Sequence, residues 1–98
     1  MIDLPVSFSE NAIREIEYIL KEKNIPTGYS LRIGVKGGGG CGGATFVLGF
    51  DQKTEHDKEY KVNDFTVLID KRHFMFLIGT LVDFEEGQQA RGFTFNKE

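Results

Sequence analysis

The chain has 98 residues and a mass of 11.1 kDa, a size that fits one domain with one core spanning residues 1–98. Fifteen acidic and 12 basic residues give a formal net charge of -3, which argues against nonspecific binding to nucleic acid or an anionic membrane. The longest apolar run, residues 74–82, falls well short of the ~20 residues that cross a bilayer. Because the first residues also lack the basic region of a signal peptide, we expect a cytoplasmic protein.

The sequence contains one cysteine, Cys41, which cannot form an internal disulfide. No Cys-x-x-Cys pair and no His/Cys cluster occurs in the sequence, which excludes the usual structural zinc sites and dithiol redox motifs. We therefore expect any chemistry of Cys41 to be that of a lone thiol.

The N-terminal segment predicts one amphipathic helix from about residue 10 to about Lys23. Its apolar residues recur at three- and four-residue spacing: Ala12, Ile13, Ile16, Ile19 and Leu20. Ser9 is the preferred N-cap, and Ser7 is the alternative, as the start of a capping box. Asn24 can end the helix in a left-handed conformation, since Pro26 cannot continue it.

From Tyr29 onward the hydrophobic period changes to two, which predicts about six short strands. In chain order they include residues 29–36, 46–51, 60–62, 65–69, 81–84 and 93–95. Residues 52–58 contain no apolar side chain and predict a solvated loop. Asn63-Asp64 favours a tight hairpin, and Asp70 can cap a short helical turn that ends at Gly79.

One helix followed by strands predicts a mostly antiparallel α+β or barrel-like domain rather than a doubly wound sheet. Eight of the nine phenylalanines lie between Phe46 and Phe95, which predicts an aromatic core.

The most unusual segment is residues 37–43, which holds six glycines around Cys41. Ordering so many glycines costs backbone entropy, so a compact domain tolerates them best where main chain approaches something closely. The segment contains the pattern Gly-x-Gly-x-x-Gly, but strand periodicity follows it and no Gly-Lys-Ser/Thr occurs, so we do not expect nucleotide binding. A flexible hairpin tip with an incidental thiol is the alternative interpretation.

Two other arrangements would offer chemistry. Cys41 with His73 as its base would make a thiol enzyme, although His73 beside Lys71 and Arg72 is more simply a surface or helix-turn histidine. Asp83 and Glu85 alternate on one strand, and solvation of an edge strand explains this pair without catalysis. No catalytic residue is predicted.

Seven segments follow one another over nearly the whole chain in the order and spacing of a known family, apart from one extra glycine before Cys41. They are Ser-x-x-Ala at 9–12, LRIGVKGGG at 31–39, CGGATF at 41–46, L-x-FD at 48–51, VLID at 67–70, L-x-GT-x-VDF at 77–84 and GF-x-FN at 92–96. In this combination the chain resembles the A-type iron-sulfur carriers, also called the HesB-like or IscA-like family.

The resemblance implies an α+β, mainly β fold, in which the N-terminal helix packs on a pseudo-barrel of two mixed sheets. It also implies a homo-oligomer, such as a dimer, that acts as an accessory protein of iron-sulfur cluster assembly and is not an enzyme. Such a protein receives iron or a labile [2Fe-2S] cluster and delivers it to apoproteins. On this resemblance Cys41 is the metal ligand, and the loop supporting the site is formed by Gly39, Gly40, Gly42 and Gly43.

Besides the extra glycine, the sequence departs from the family pattern at three places. The family's Cys-Gly-Cys motif does not occur in these residues, which end at Glu98, and Phe46 and His73 replace the usual tyrosine and serine. A [2Fe-2S] cluster takes four ligands, of which two copies of this chain would supply two thiolates. We therefore expect a labile cluster completed by small thiols, other side chains or a partner. The alternative is a HesB-fold module that binds a protein or small ligand without metal chemistry.

Overall fold

The computed structural model describes residues 4–37, 44–87 and 91–97. Its elements in chain order are β1 (Val6–Phe8), α1 (Glu10–Glu22), β2 (Tyr29–Gly37), β3 (Ala44–Gln52), β4 (Asp57–Val62), β5 (Phe65–Asp70), a 3-10 turn (Lys71–His73), α2 (Phe74–Leu77), β6 (Thr80–Glu86) and β7 (Arg91–Lys97). The fold is α+β and mainly β, as predicted. In these described ranges no helix is long and apolar enough to cross a membrane.

The chain divides into two compact units, residues 1–25 with 78–98 and residues 26–77. The first unit has a sheet of strand order β1-β6-β7, and the second a sheet of order β3-β2-β5-β4. Each sheet is mixed, because β1 runs parallel to β6 and β2 runs parallel to β5, while the remaining pairs are antiparallel. The two mixed sheets confirm the predicted architecture. The sequence did not predict β1, whose three residues are too few to show a period.

Helix α1 begins where the sequence predicts because Ser9 caps it. The Ser9 hydroxyl oxygen accepts a hydrogen bond from the Ala12 amide at 3.1 Å, and the Ser9 amide donates to the Val82 carbonyl of β6 at 2.9 Å. Ala12 and Ile16 are fully buried, and α1 packs against β6. The cap therefore satisfies a free amide of the first turn while it joins the helix to the middle strand of its sheet.

The end of α1 also follows the prediction. The Lys23 amide donates to the Ile19 carbonyl, and Asn24 has φ 55°, the left-handed conformation that ends a helix. The hairpin between β4 and β5 uses the same conformation at Asn63, whose φ is 51°.

The core of the unit formed by residues 26–77 is aliphatic. Its fully buried side chains are Leu31, Ile33, Val67, Leu68, Ile69 and Leu77. Of the nine phenylalanines only Phe65 is buried, and Phe76 is 51% exposed, so the prediction of an aromatic core is wrong. The physical reason is strand position: β2 and β5 are the two inner strands of the sheet, and their inward residues are branched aliphatics.

The prediction of a solvated loop over residues 52–58 is wrong at its ends. β3 extends to Gln52, and β4 begins at Asp57, which is only 5% exposed. The short helical turn is confirmed, since the Asp70 carboxylate accepts from the Arg72 amide at 2.8 Å, and Gly79 has φ 76° after α2.

Candidate functional site

The predicted metal ligand, Cys41, lies outside the described residues. So do all four glycines predicted to support it: Gly39, Gly40, Gly42 and Gly43. The structure describes the strands on either side, where β2 ends at Gly37 and β3 begins at its register partner Ala44. Residues 38–43 therefore connect two paired antiparallel strands. A strand rather than a helix follows them, which agrees with the exclusion of a phosphate-binding loop.

His73 contacts the second half of β2. Its Nδ1 accepts a long hydrogen bond from the Val35 amide at 3.4 Å. Gly34 is buried next to it, and a Cβ added at Gly34 would lie 2.8 Å from the same nitrogen, closer than real Cβ contacts come. The imidazole therefore lies directly against main chain, and this close approach requires glycine at residue 34.

This contact bears on the hypothesis of a thiol enzyme. The Val35 amide donates to Nδ1, so the lone pair of this ring nitrogen is engaged with main chain. Nδ1 therefore cannot take a proton from a thiol while this hydrogen bond holds. His73 is half-buried and structural rather than a free surface histidine.

A charged cluster contacts the first half of β2. The two terminal nitrogens of Arg32 donate to the two carboxylate oxygens of Asp57 at 2.5 and 2.6 Å. Asp57 also accepts from the Thr54 amide at 2.7 Å, and Arg32 donates to the Gln52 carbonyl at 2.9 Å. The hydrogen bond with Arg32 is the largest cause of the lowered pKa of Asp57, and it raises the pKa of Arg32 in turn. Because both terminal nitrogens of Arg32 and both carboxylate oxygens of Asp57 are engaged, this cluster is structural, and the Arg32 Nε lies 3.4 Å from Asp51 Oδ2.

Asp83 is the centre of a polar contact in the unit formed by residues 1–25 and 78–98. Its Oδ1 accepts from the Ser9 hydroxyl at 2.5 Å and from the Phe84 amide at 2.8 Å. These two hydrogen bonds, that of Ser9 first, lower the pKa of Asp83. Of the predicted solvated pair, Glu85 is exposed and Asp83 is half-buried, and their strand β6 is the middle strand of its sheet rather than an edge.

A surface groove of about 450 Å³ lies along α1 and β6. It is lined by Asn11, Arg14, Glu15, Tyr18, Phe84 and Glu86. Beside it, the Arg91 guanidinium lies 5.2 Å from the Phe84 ring centre and pairs with Glu15 at 3.2 Å and Glu86 at 3.5 Å. Aromatic rings and charges of both signs suit a polar ligand that has an apolar part.

In the three described ranges, no group of three or more His, Cys, Asp or Glu side chains could hold a metal ion. Cys41 is not among those residues, so its assignment as a ligand stays a prediction.

Comparison with known proteins decides the family. The family described as iron-sulphur cluster biosynthesis matches residues 4–98. The chain belongs to this family. The resemblance noted in the sequence is thereby confirmed over nearly its whole length.

Among curated relatives, the protein SufA of Bacillus subtilis, described as uncharacterized, is 36% identical over 93 residues, covering 94% of this chain and 76% of its own. The iron-sulfur cluster insertion protein ErpA of Saccharophagus degradans is 33% identical over 90 residues, covering 91% of this chain and 75% of its own.

Two solved structures share the fold. The crystal structure of Escherichia coli SufA, involved in the biosynthesis of iron-sulfur clusters, has a TM-score of 0.76 and 22% identity, covering 94% of this chain and 79% of its own. The crystal structure of IscA with the [2Fe-2S] cluster has a TM-score of 0.69 and 24% identity, covering 94% and 81% of the respective chains.

Proposed function

We propose that this protein carries iron or a labile iron-sulfur cluster and transfers it to apoproteins, with Cys41 as its protein ligand. The observation that carries the proposal is the family match, which runs from residue 4 to residue 98 and so includes both strands next to Cys41. A relative named as a cluster insertion protein and a structure of the same fold with a [2Fe-2S] cluster support the same role.

The residue types around Cys41 suit a ligand that exchanges. A thiolate is the soft ligand that iron-sulfur clusters prefer. The glycines beside it carry no side chain that would cover the sulfur, and backbone amides that donate to a sulfur stabilise the thiolate form. Since these 98 residues contain one cysteine, the proposal includes small thiols or a partner as the remaining ligands.

The proposed carrier is a homodimer in which residues 1–98 act as one domain and each copy contributes one Cys41 thiolate. The family match supports one domain, because it spans both compact units. A lone thiol that must stay reduced suits the cytoplasm. The proposed role is not catalytic, since metal-ligand bonds are the only bonds that form and break. The proposed partners are iron-sulfur assembly proteins and the apoproteins that accept the cargo.

One observation favours the second candidate, a module that binds a ligand without metal. The groove along α1 and β6 has the volume of a small-molecule site and presents Arg14, Tyr18 and Phe84. A role confined to this groove predicts that Tyr18→Ala abolishes the biological function and that Cys41→Ser leaves it unchanged.

Anaerobic reconstitution with iron and sulfide, with and without glutathione, tests the proposed function. The wild type is compared with Cys41→Ser and with Thr45→Ser, a matched control at an exposed residue of β3. We expect visible thiolate-to-iron absorption and bound iron and sulfide in the wild type and in Thr45→Ser. We expect their loss in Cys41→Ser. Equal iron and sulfide in Cys41→Ser, or none in the wild type under either condition, would contradict the proposal.

A further inference from the structure

Strand β2 changes its neighbours halfway along its length. Leu31 to Ile33 pair with β3 on one side and with β5 on the other. From Gly34 to Gly37 the pairing with β3 continues, whereas the described pairing with β5 has ended. A backbone amide at the side that β5 no longer covers needs another acceptor.

The side chain of His73 supplies that acceptor. The Val35 amide donates to Nδ1 where a further residue of β5 would have offered a carbonyl, and the ring lies against Gly34. The imidazole thus continues the sheet for one more hydrogen bond. The contact depends on two residues that are far apart in the sequence. Gly34 has no Cβ to obstruct the ring, and His73 supplies the Nδ1 acceptor.

The position of His73 is fixed from its own side of the contact. Its 3-10 turn is capped by Asp70, whose carboxylate accepts from the Arg72 amide and also from the Arg72 guanidinium at 2.7 Å. The Lys71 amide donates to the His56 carbonyl at 2.8 Å. These hydrogen bonds hold the 3-10 turn in place, and the turn positions the His73 ring against β2.

We propose that His73 is a positioning residue for the Cys41 ligand. Through Nδ1 it keeps Gly34 and Val35 in the sheet, and so it fixes the strand that leads, six residues after Val35, to Cys41. This inference rests on the proposed function. The role assigned to His73 is to hold the strand and not to bind the cargo, because its Nδ1 lone pair is directed at the Val35 amide.

Three substitutions of His73 distinguish the proposed role of Nδ1, which accepts from Val35, from a role of the other ring nitrogen, Nε2. His73→Asn places an amide oxygen near the Nδ1 position, His73→Gln places one near the Nε2 position, and His73→Leu removes both acceptors. Gly34→Ala is the independent variant, since it keeps His73 and displaces its ring. Gly49→Ala, on the neighbouring strand β3 with open space at its Cβ, is the matched control.

The first measurement is hydrogen exchange of the Val35 amide in the metal-free proteins, which does not depend on iron. We expect exchange about tenfold faster than wild type in His73→Leu, His73→Gln and Gly34→Ala, because each removes the hydrogen bond. We expect His73→Asn and Gly49→Ala to stay within about twofold. An unchanged exchange rate of the Val35 amide in His73→Leu would overturn the inference. A Val35 amide that is protected in His73→Gln and unprotected in His73→Asn would overturn it as well.

The second measurement is the rate at which the reconstituted proteins release iron to a chelator. We expect release several-fold faster than wild type in His73→Leu and Gly34→Ala, with rescue in His73→Asn. Thermal midpoints confirm that each variant is folded during the assay. Release at the wild-type rate in folded His73→Leu would overturn this inference alone. A wild type that binds no Cys41-dependent iron would overturn the proposed function, and this inference with it.

Discussion

The two halves of β2 are fixed to their surroundings in different ways. In the first half, Arg32 makes a bidentate ion pair with the buried Asp57 at 2.5 and 2.6 Å. In the second half, Val35 makes one neutral hydrogen bond with His73 at 3.4 Å. Charge-assisted bidentate bonds are the stronger kind and long neutral ones the weaker. The stronger contact thus lies on the first half of β2, and the weaker one lies on the half that immediately precedes the glycine-rich segment with Cys41 in the sequence.

The largest effect should come from breaking the ion pair. Asp57→Ala leaves the Arg32 guanidinium, 21% exposed, without its main partner and removes the acceptor of the Thr54 amide. We expect the free energy of unfolding to fall by about 3 kcal/mol, the lower part of the range for a broken buried pair. Urea denaturation measures the fall. A loss below about 1 kcal/mol would show that the first half of β2 is no more strongly held than the second.

A smaller effect is expected at the other half of the strand. In Gly34→Ala the new Cβ meets His73, so we expect a loss of about 2 kcal/mol in unfolding free energy. The same substitution in a His73→Ala background should cost about 1 kcal/mol less, because the obstructing ring is gone. Denaturant midpoints of the four proteins in this double-mutant cycle measure the coupling. Equal costs in both backgrounds would mean that His73 does not contact Gly34 as described.

The ion pair also predicts an acid dependence. Because Arg32 lowers the pKa of Asp57 in the folded state, the pair stabilises the fold fully above the ordinary aspartate pKa, and this contribution is lost as pH falls through the lower folded value. Stability of the wild type should therefore decrease below about pH 4. The unfolding free energy of Asp57→Asn should fall less over the same pH interval. Asp70, whose pKa is also lowered, causes part of the fall that remains.

Urea midpoints between pH 7 and pH 3 check this dependence. Parallel curves for the wild type and Asp57→Asn would contradict the assignment of the charged pair as the strong contact of β2.

The smallest effect is expected for the ion pair on the exposed side of β4. Lys53 and Glu59 are 2.9 Å apart, but their side chains are 52% and 51% exposed. Exposed pairs contribute little because water and salt screen them. Glu59→Ala should change the unfolding free energy by no more than about 0.5 kcal/mol. The same urea assay serves as the measurement, and a loss comparable to that of Asp57→Ala would show that burial does not distinguish the two acids.

The helix and the hairpin were predictable because their signals are local. Ser9 caps its own helix, and Asn24 and Asn63 take left-handed conformations at the turns where the sequence places them. Asp57 was not predictable, because its partner Arg32 lies 25 residues earlier and nothing in residues 52–58 shows which acid is buried. The need for Gly34 was hidden in the same way, since His73 is far away in sequence. Cys41 was found through its family motif, and its geometry lies outside the described residues.

Transfer of cargo to an acceptor tests the central claim most directly. The anaerobically reconstituted protein is mixed with an apo-ferredoxin in the presence of an iron chelator, and circular dichroism follows cluster assembly on the acceptor. We predict that the wild type transfers its cluster faster than the chelator removes the iron, and that Cys41→Ser transfers none. Assembly from the wild type that is no faster than from free iron and sulfide with the same chelator would contradict the account.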